Sequence, residues 1–508
     1  MLLRELVDTS SAVAGTRSRK EKVQLIAALL LACSPEERSL VAHYLSGRLR
    51  QRRTGLGWRS MATLPSPATE ASLTPLEVDA AFAAMAALSG PGSAGARSSA
   101  AEELFGRATA AEQAWLRAVV VGEVRQGALE AVTTEALAVA TGMPLAVVRR
   151  AAMLAGGTTY VVDAAFAGRE ALDAVGLTVG RPVLPMLASS APDVAAAVAK
   201  AAGPDGVVGV DAKLDGIRIQ VHRDGDEVVV ATRSLDDITD RLADVVAVAR
   251  SLPVSRVVLD GEAMTLADDG RPRPFQETAS RTASGTGSGA GSVVVPYFFD
   301  VLHLDGTDLI DRPAHERWAA LERIVPPAYR VQRWVGTSPA DAEAFTAQSL
   351  ADGHEGVVVK DAGAPYDAGR RGSAWVKVKP VHTLDLVVLA VEHGSGRRRG
   401  WLSNIHLGAR DPSSPTGFVM LGKTFKGMTD EMLAWQTSRF RELEMSDDGW
   451  VVTLRPEQVV EIAFDGLQRS TRYPGGLALR FARVVRYRDD KGADEADTIE
   501  TVRALAGG

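Results

Sequence analysis

The stretch "GVDAKLDGIRIQVHR" at residues 209–223 alternates like a β-strand, yet it places Lys213 between two acids. Asp211, Lys213 and Asp215 occupy every second position, and Gly216 then breaks the pattern. Two interpretations fit: a surface ion pair at the end of an edge strand, or a lysine nucleophile. The pattern Lys-x-Asp-Gly specifies only three residues and arises by chance in roughly one chain in ten of this length. Taken alone, the motif therefore favours the surface ion pair.

The composition limits the class of protein. The chain has 508 residues, of which 46% are hydrophobic, so two to four globular domains are expected. Its net charge of -6 gives no sign of a nucleic-acid partner, which would need local basic surfaces. The single cysteine, Cys33, excludes a disulfide framework and a four-cysteine zinc site. The apolar run "VQLIAALLLAC" is shorter than the ~20 residues that span a bilayer, and no signal peptide is evident, so we expect a cytoplasmic protein.

Hydrophobic spacing divides the chain into three parts. Residues 1–178 carry apolar residues at helical spacing, with capped helix starts at "SPEE" and "TPLE", which predicts an all-α domain. Residues 183–380 alternate in segments such as "IRIQVHR", "EVVVATRS" and "EGVVVKD", which predicts an α+β domain. Residues 381–508 contain about five strand segments and one helix near "TDEMLAWQTSRFRELE", which favours a small Greek-key barrel such as an OB-fold. The expected fold class is therefore multidomain.

Several charged and aromatic residues downstream of Lys213 change the balance between its two interpretations. Singly, each has an ordinary explanation, as a turn acid, a core aromatic, an outer strand face or a solvated charge. They are Arg233 in "TRS", Glu262 in "LDGE", Phe299 in "FFDVLHLDG", Glu355 in "EGVVVK", Arg371, Lys377 and Lys379 in "GRRGSAWVKVKP", and Arg488, Asp490 and Lys491 in "RYRDDK". In order and spacing the set resembles the covalent nucleotidyltransferase superfamily and, within it, the ATP-dependent DNA ligases. The stretches "SGRRRGWLSNIHLGARD" and "RYPGGLALRFARVVRYR" resemble actinobacterial ligases of the B type in particular.

The chemistry of a lysyl-AMP adduct explains some of these residue types directly. An ordinary lysine has a pKa near 10.4 and is mostly protonated, whereas attack on phosphorus needs the neutral amine. The acids on either side of Lys213 would stabilise its charged form, unless hydrogen bonds, nucleotide or metal engage them elsewhere. Arg218 and Arg233 carry the forked guanidinium that suits phosphate or ribose. Lys377 and Lys379 share one strand face and suggest a wall that faces phosphate.

The resemblance implies roles for the remaining site residues. In similar ligases a Glu usually occupies the position of Asp211 and contacts the adenine or its surroundings. Asp is one methylene shorter, so the resemblance does not fix which contact Asp211 makes. Glu262 would contact ribose or a metal ion, and Glu355 would help to hold a metal ion. Phe299 would stack on adenine, with Phe298 and Tyr297 as competitors for that role. By the same resemblance, Arg371 would also contact the nucleotide, with Arg370 as the alternative. Arg488 and Lys491 would orient the leaving pyrophosphate once the C-terminal barrel closes over the site.

Together the resemblance implies an ATP-dependent DNA ligase with Lys213 as its nucleophile. The expected domains are a DNA-binding domain (1–178), a nucleotidyltransferase (adenylation) domain (183–380) and an OB-fold domain (381–508). The cofactors would be ATP as AMP donor and Mg²⁺, with Mn²⁺ as an alternative. The enzyme would act in replication, repair or recombination as a nucleoid-associated monomer that encircles nicked duplex DNA, without a membrane partner. The sequence identifies no protein partner.

Other functions share part of this pattern. An RNA ligase or an mRNA-capping guanylyltransferase would use the same lysine chemistry, but the large helical N-terminal part favours a duplex-DNA ligase. An NAD-dependent ligase would contain a cysteine-rich zinc site, which a chain with one cysteine cannot form. A non-catalytic nucleic-acid clamp would not need Lys213 as a nucleophile. Basic stretches at 122–130, where Arg125 lies, at 394–400 and at 422–427 are expected to contact DNA phosphates.

Overall fold

The N-terminal part of the molecule is helical. The computed structural model describes residues 1–51, 54–61, 63–124, 129–267, 269–273, 275–284, 293–367 and 371–506. The N-terminal helices are α1 (Leu3–Gly15), α2 (Arg19–Ala32), α3 (Pro35–Leu45), α4 (Pro75–Ala87), α5 (Ser93–Arg107), α6 (Ala110–Val120), α7 (Leu129–Thr141), α8 (Leu145–Ala155), α9 (Val162–Ala167) and α10 (Arg169–Asp173). The predicted starts of α3 and α4 are confirmed, because Ser34 with Glu37 and Thr74 with Glu77 form capping boxes. These helices bury one continuous apolar core.

The middle part contains two five-stranded sheets with helices against them. Its strands are β1 (Leu187–Ser190), β2 (Val208–Lys213), β3 (Ile217–Asp224), β4 (Glu227–Thr232), β5 (Arg256–Thr265), β6 (Val294–Leu304), β7 (Thr307–Asp308), β8 (Arg333–Gly336), β9 (Gly356–Asp361) and β10 (Arg371–Val378). Its helices are α11 (Val194–Ala201), α12 (Ala243–Ser251), α13 (Phe275–Ser284), α14 (Ala314–Ile324) and α15 (Pro339–Ala351). One sheet has the order β1-β10-β9-β2-β8 and the other β4-β3-β5-β6-β7. The predicted α+β character of this part is confirmed.

The chain passes from one sheet to the other directly after Lys213. Strand β2 belongs to the first sheet and β3 to the second, so residues 214–216 connect the two sheets. Gly216 permits this close passage, because a Cβ atom there would lie 2.3 Å from the carbonyl oxygen of Ala263 on β5. The glycine that breaks the strand pattern in the sequence therefore lets the chain pass close to β5 as it enters the second sheet.

The C-terminal part has more strands than the sequence predicts. They are β11 (His382–His393), β12 (Leu402–Arg410), β13 (Phe418–Thr424), β14 (Glu444–Asp447), β15 (Val451–Leu454), β16 (Val459–Phe464), β17 (Gly466–Arg469), β18 (Leu477–Arg480) and β19 (Arg483–Tyr487), with α16 (Asp430–Glu442) and α17 (Ile499–Ala506). Two segments predicted as single strands are each divided, one by the turn at Pro456 and the other at Phe481, whose φ of 55° is incompatible with a strand. The prediction of about five strands and one helix was therefore wrong in number.

The expected closed barrel is also corrected. Among the described residues, the pairing order β13-β12-β11-β15-β14, with β16 on β11 and β19 on β16, leaves the sheet open. Strand β11 is long enough to pair with β16 through its first half and with β15 through its second. Leu433 and Phe440 of α16 complete the core that all these strands share. Side-chain packing rather than a continuous ring of hydrogen bonds therefore holds this part together.

The parts are joined by packing. Met153 and Leu154 of α8 share a buried cluster with Val183 and with Leu302 of β6. The order of helical, two-sheet and C-terminal parts follows the expected order of domains, and the boundaries themselves stay a prediction. In the described part of the chain, no helix is both long and apolar enough to cross a membrane.

A buried ion pair anchors strand β6, which carries Phe299. Asp300 and Arg317 of α14 are both fully buried, and the guanidinium donates to the carboxylate oxygens over 2.7 and 3.0 Å. Arg317 also donates to the carbonyl oxygen of Ala364, at 3.1 Å. Removing one partner of such a pair leaves a buried charge without compensation.

We predict that Arg317→Met destabilises the middle part by about 3–5 kcal/mol, because Asp300 loses its counter-charge. For a domain of this size that loss lowers the melting temperature by about 6–20 °C. Arg323→Met, on the exposed face of the same helix, is the matched control and should change the melting temperature little. Equal melting temperatures for the two variants would contradict the role assigned to the pair.

Candidate active site

A cavity of about 580 Å³ opens beside Lys213 and brings most of the predicted site residues together. Nine of them line it: Asp211, Lys213, Arg218, Arg233, Glu262, Phe299, Glu355, Lys377 and Lys379. Its walls come from both sheets of the middle part and from the C-terminal part. Residues separated by more than 250 positions in the chain therefore face one space.

Lys213 lies at the end of β2, and its ammonium group is paired with Glu355. The backbones approach first, because the amide of Glu355 donates to the carbonyl oxygen of Lys213 over 3.0 Å. The Lys213 Nζ then reaches Oε2 of Glu355, and Lys379 binds the other carboxylate oxygen. Gly356 has a φ of 145°, and a Cβ atom there would lie 2.2 Å from the carbonyl oxygen of Val378. Close packing of β9 on β10 therefore places one acid between two lysines.

Asp211 is buried and fully engaged by two cations. Arg333 binds both of its oxygens, with Nη2 at 2.7 Å from Oδ2, and Lys360 Nζ lies 2.6 Å from Oδ2. Burial by itself would raise the pKa of Asp211, but Arg333 and Lys360 outweigh it and hold the pKa below its ordinary value. Its charge is thus compensated without Lys213. The expected contact of Asp211 with the nucleotide stays a prediction.

Asp215 also has its own partner. Arg480, at the end of β18 in the C-terminal part, donates to Asp215 Oδ2 through Nη1 over 2.8 Å. Both acids that flank Lys213 are therefore bound by cations from distant parts of the chain. The conflict in the sequence, a lysine nucleophile between two carboxylates, is resolved by hydrogen bonds, as one of the expected alternatives required.

Arg218 forms part of the cavity wall. Its guanidinium donates to both oxygens of Asp260, at 3.1 and 2.6 Å, and to the carbonyl oxygen of Met186, at 2.6 Å. Tyr366 completes this network through its hydroxyl, which donates to Asp260 over 2.6 Å. Arg218 is held rigidly, and its contact with phosphate or ribose stays a prediction. Arg233 directly follows β4, is exposed and lines the cavity.

An aromatic corner occupies another wall. Phe299 and Trp375 meet edge to face, with ring centroids 5.9 Å apart. Of the three aromatic residues in the motif, Phe298 is fully buried and Tyr297 lines a neighbouring cavity of about 400 Å³, so Phe299 is the one that faces the Lys213 cavity. The Lys360 ammonium lies 4.4 Å from the Phe299 ring centroid and 4.1 Å from that of Trp375. A flat base could pack against this corner.

Glu262 differs from the other acids of the cavity because burial is the main influence on its pKa. Its Oε1 accepts from the amide of Gly216 over 3.2 Å. Burial raises the pKa of Glu262 to about 7, against the opposing attraction of Lys213 and Arg218. A divalent cation would stabilise its charged form, so Glu262 fits a metal-binding role. Glu355 is less suited to bind a metal ion while each of its carboxylate oxygens is bound by a lysine. Among the described residues, no group of three or more His, Cys, Asp or Glu is placed to hold a metal ion.

Some predicted site residues lie away from the cavity, and others have side chains that the structure does not describe. Arg488 and Lys491 are not among the residues that line the cavity; both bind Asp385, at 2.9 and 2.7 Å. Arg371 begins β10, but its side chain, like Arg370 and Arg125, lies outside what the structure describes.

Several cavity residues were missed from the sequence. They are Lys360, Trp375, Lys426, Asp465, Arg480, Phe481 and Arg483 in the cavity wall, with Arg333 behind Asp211. Lys360 ends the quoted motif "EGVVVK", and Arg480 and Phe481 lie inside "RYPGGLALRFARVVRYR", so these motifs contained a signal. For Arg333 no local pattern was available.

The chain resembles known proteins along its whole length. Residues 185–379 match the family described as "ATP dependent DNA ligase domain", and residues 398–491 match "ATP dependent DNA ligase C terminal region". A "Probable DNA ligase" of a Nocardioides species is 65% identical over 512 residues, covering 100% of this chain and 99% of that protein. One from Mycobacterium marinum is 54% identical over 516 residues, covering 99% and 100%. The predicted likeness to actinobacterial ligases is thereby confirmed.

A solved structure supports the arrangement of the parts. The structure named Pmar-Lig_PreS3 is 17% identical, with a TM-score of 0.61, and the match covers 95% of this chain and 99% of that one. At this identity the likeness concerns the fold alone.

We predict that the raised pKa of Glu262 makes stability depend on pH. The folded pKa of about 7 exceeds the ordinary value near 4.3, so the stabilisation is present at low pH and is lost as pH rises towards 7. Between pH 5 and pH 8 the wild type should lose about 2–3 kcal/mol of unfolding free energy relative to Glu262→Gln. Chemical denaturation of both proteins across this range checks it, and a constant difference would contradict it.

Proposed function

The chain belongs to the family of ATP-dependent DNA ligases, and we propose that it seals nicks between a 5′-phosphate and a 3′-hydroxyl in duplex DNA through Lys213. One observation carries the assignment of the site: Lys213 faces a cavity together with eight other residues of the ligase pattern. A surface ion pair at a strand end, the alternative for this lysine, would have no reason to face such a cavity. DNA of the nucleoid is the proposed place of action, in replication, repair or recombination.

The reaction has three steps. The Lys213 Nζ forms a bond with the α-phosphorus of ATP, and the bond to pyrophosphate breaks. A 5′-phosphate oxygen of the nick then attacks the same phosphorus, which transfers AMP to the DNA and frees Lys213. Finally the 3′-hydroxyl attacks the 5′-phosphorus, forming the phosphodiester and releasing AMP.

Lys213 must lose a proton before it attacks. Its neighbour Glu355 Oε2 is the acceptor in reach, and Lys379 on the other oxygen weakens the hold of Glu355 on the Lys213 proton. Because Asp211 and Asp215 are already compensated by other cations, they add less to the stability of the charged lysine.

The nucleotide has a natural orientation in this cavity. Adenine would stack at Phe299 and Trp375, near Asp211 and Lys360. The phosphates would lie along Lys377 and Lys379, with Arg371 added by resemblance. Ribose would lie between Arg218, Arg233 and Glu262.

We assign Mg²⁺, with Mn²⁺ as the alternative, to Glu262, and to Glu355 once its lysines exchange to phosphate. A divalent ion held there would supply positive charge to offset that of the phosphates. The raised pKa of Glu262 supports this role, since such an acid gains from a cation.

The proposed domains are a DNA-binding domain over 1–178, an adenylation domain over 183–380 and an OB-type domain over 381–508. Arg488 and Lys491 would orient pyrophosphate only after the C-terminal part turns, because they are held at Asp385 in this arrangement. A monomer whose three parts surround the duplex would use both the helical and C-terminal parts as DNA contacts.

Two basic loops predicted to touch DNA are joined into one surface. Arg398 donates to the carbonyl oxygen of Phe425 over 2.7 Å, so the segment 394–400 lies against the segment 422–427. Arg397 and Arg399 are exposed, whereas Arg398 is half-buried and supports the loop.

The nucleophile is tested by covalent labelling. We expect label from α-labelled ATP on the protein with Mg²⁺ and without DNA, little from α-labelled GTP, and none in Lys213→Arg, which keeps the charge next to Glu355. Lys200→Arg, at an exposed position of α11, is the control and should label like the wild type. No adduct with ATP under any divalent metal would refute the proposal, and nicked DNA against nicked RNA then identifies the substrate.

The phosphate contacts are tested by salt dependence. Substituting Arg397 and Arg399 together with Ala should weaken DNA binding and reduce the slope of log K against log salt by about 1–2, because each lost phosphate contact removes about 0.9. Arg503→Ala, on the exposed face of α17, serves as control. An unchanged slope in the double variant would rule these arginines out as phosphate contacts.

A further inference from the structure

A buried tyrosine outside the cavity connects several of the residues that line it. Tyr366 lies in the loop between β9 and β10, is fully buried and is not among the residues that line the Lys213 cavity. Its amide donates to the carbonyl oxygen of Ile310 over 2.9 Å, and Arg317 binds the carbonyl oxygen of Ala364 two residues earlier. The loop is thus fixed to its surroundings and holds the Tyr366 side chain at a defined place.

The Tyr366 hydroxyl makes three hydrogen bonds at once. A phenol donates one hydrogen bond and can accept others. The hydroxyl donates to Asp260 Oδ2 over 2.6 Å, and it accepts from the amide of Met186 over 3.0 Å and from Arg218 Nη2 over 3.3 Å. Burial raises the pKa of Tyr366 well above its ordinary value, and the charge of Asp260 raises it further, so the hydroxyl keeps the proton that it donates. One hydroxyl therefore connects a cavity arginine, the carboxylate that binds this arginine and the backbone before β1.

The contact with Met186 fixes the point where the chain enters the cavity wall. Met186 directly precedes β1, and Arg218 Nη1 donates to its carbonyl oxygen over 2.6 Å. Leu187 and Ala188, the next two residues, line the cavity, and β1 pairs with β10. Tyr366 and Arg218 thus bind both backbone groups of the residue from which this part of the wall begins.

The ring of Tyr366 supports a second part of the wall. It meets Trp375 edge to face, with ring centroids 5.8 Å apart, and Trp375 meets Phe299 in the same way at 5.9 Å. The guanidinium carbon of Arg218 lies 5.5 Å from the centroid of each of those two rings. The hydroxyl and the ring of one side chain therefore hold Arg218 and the aromatic corner in a fixed relation to each other.

We propose that Tyr366 is a positioning residue for the nucleotide, which holds Arg218 and the aromatic corner at the separation that one bound ATP requires. Tyr366 itself does not touch the nucleotide. A guanidinium that is oriented in advance loses less conformational freedom when the nucleotide binds, so its contact contributes more to affinity. The inference rests on the proposed ligase function and adds to it a residue outside the cavity that sets the affinity for ATP.

The test removes the hydroxyl and keeps the ring. In Tyr366→Phe, we expect the ATP concentration for half-maximal labelling of Lys213, measured with Mg²⁺ and without DNA, to rise about tenfold. The maximal rate should fall less than threefold, because Lys213 and Glu355 bind each other outside this network and a loss of binding alone leaves the maximal rate unchanged. Tyr44→Phe, at a fully buried tyrosine of the helical part, is the matched control and should behave like the wild type.

A double variant separates positioning from a general structural role. In an Arg218→Lys background the forked contact with Asp260 is already lost, so adding Tyr366→Phe should raise the half-maximal ATP concentration less than twofold, whereas independent effects would multiply. Asp260→Asn keeps the shape of the side chain and takes one acceptor oxygen from Tyr366 and Arg218. It should raise the half-maximal concentration at least about fivefold, and it decides the question if Tyr366→Phe does not fold.

The outcomes distinguish the inference from the function on which it rests. Absence of label on the wild type with ATP would refute the ligase function, and the inference with it. A labelled wild type with an unchanged ATP requirement in Tyr366→Phe or in Asp260→Asn would overturn the inference alone. Equal rises for Tyr366→Phe in the wild-type and Arg218→Lys backgrounds would also overturn it, since Tyr366 would then not act through Arg218.

Discussion

Carboxylates line the cavity beside Lys213, and the site depends on how the charge of each one is compensated. Asp211 is bound by Arg333 and Lys360, and Asp215 by Arg480. Glu355 is shared between Lys213 and Lys379, and burial favours the neutral form of Glu262. Without these partners the acids would stabilise the ammonium form and oppose attack on phosphorus. The placement of cations around the lysine is thus as important as the lysine itself.

The two sheets make this arrangement possible. The chain leaves the first sheet directly after Lys213 and enters the second at Ile217, and only a glycine at 216 fits the close approach to Ala263. Lys213 therefore lies where residues of both sheets converge, with Glu355 and Lys379 from one sheet and Glu262 and Phe299 from the other. The buried pair of Asp300 with Arg317 fixes the strand that presents Phe299.

The C-terminal part contributes to the same site in two ways. Arg480 compensates Asp215, while Lys426 and Phe481 complete the cavity wall. Arg488 and Lys491 belong to the same part but are bound to Asp385. The C-terminal part thus places some of its cations in the cavity wall and holds these two outside it.

Local sequence determined the helical N-terminal part, the strands β2, β3, β4 and β9 and the residues of short motifs, because spacing, caps and glycines act within a few positions. The family resemblance pointed to Phe299, but only the structure showed that Phe298 is buried and that Tyr297 lines another cavity. Tertiary structure alone decided the partners of Asp211 and Asp215, since Arg333 and Arg480 are 122 and 265 positions away in the chain. It likewise decided the open C-terminal sheet and the place of Arg488 and Lys491. Pairing of strands and of buried charges depends on which distant segments meet, and no local pattern encodes that meeting.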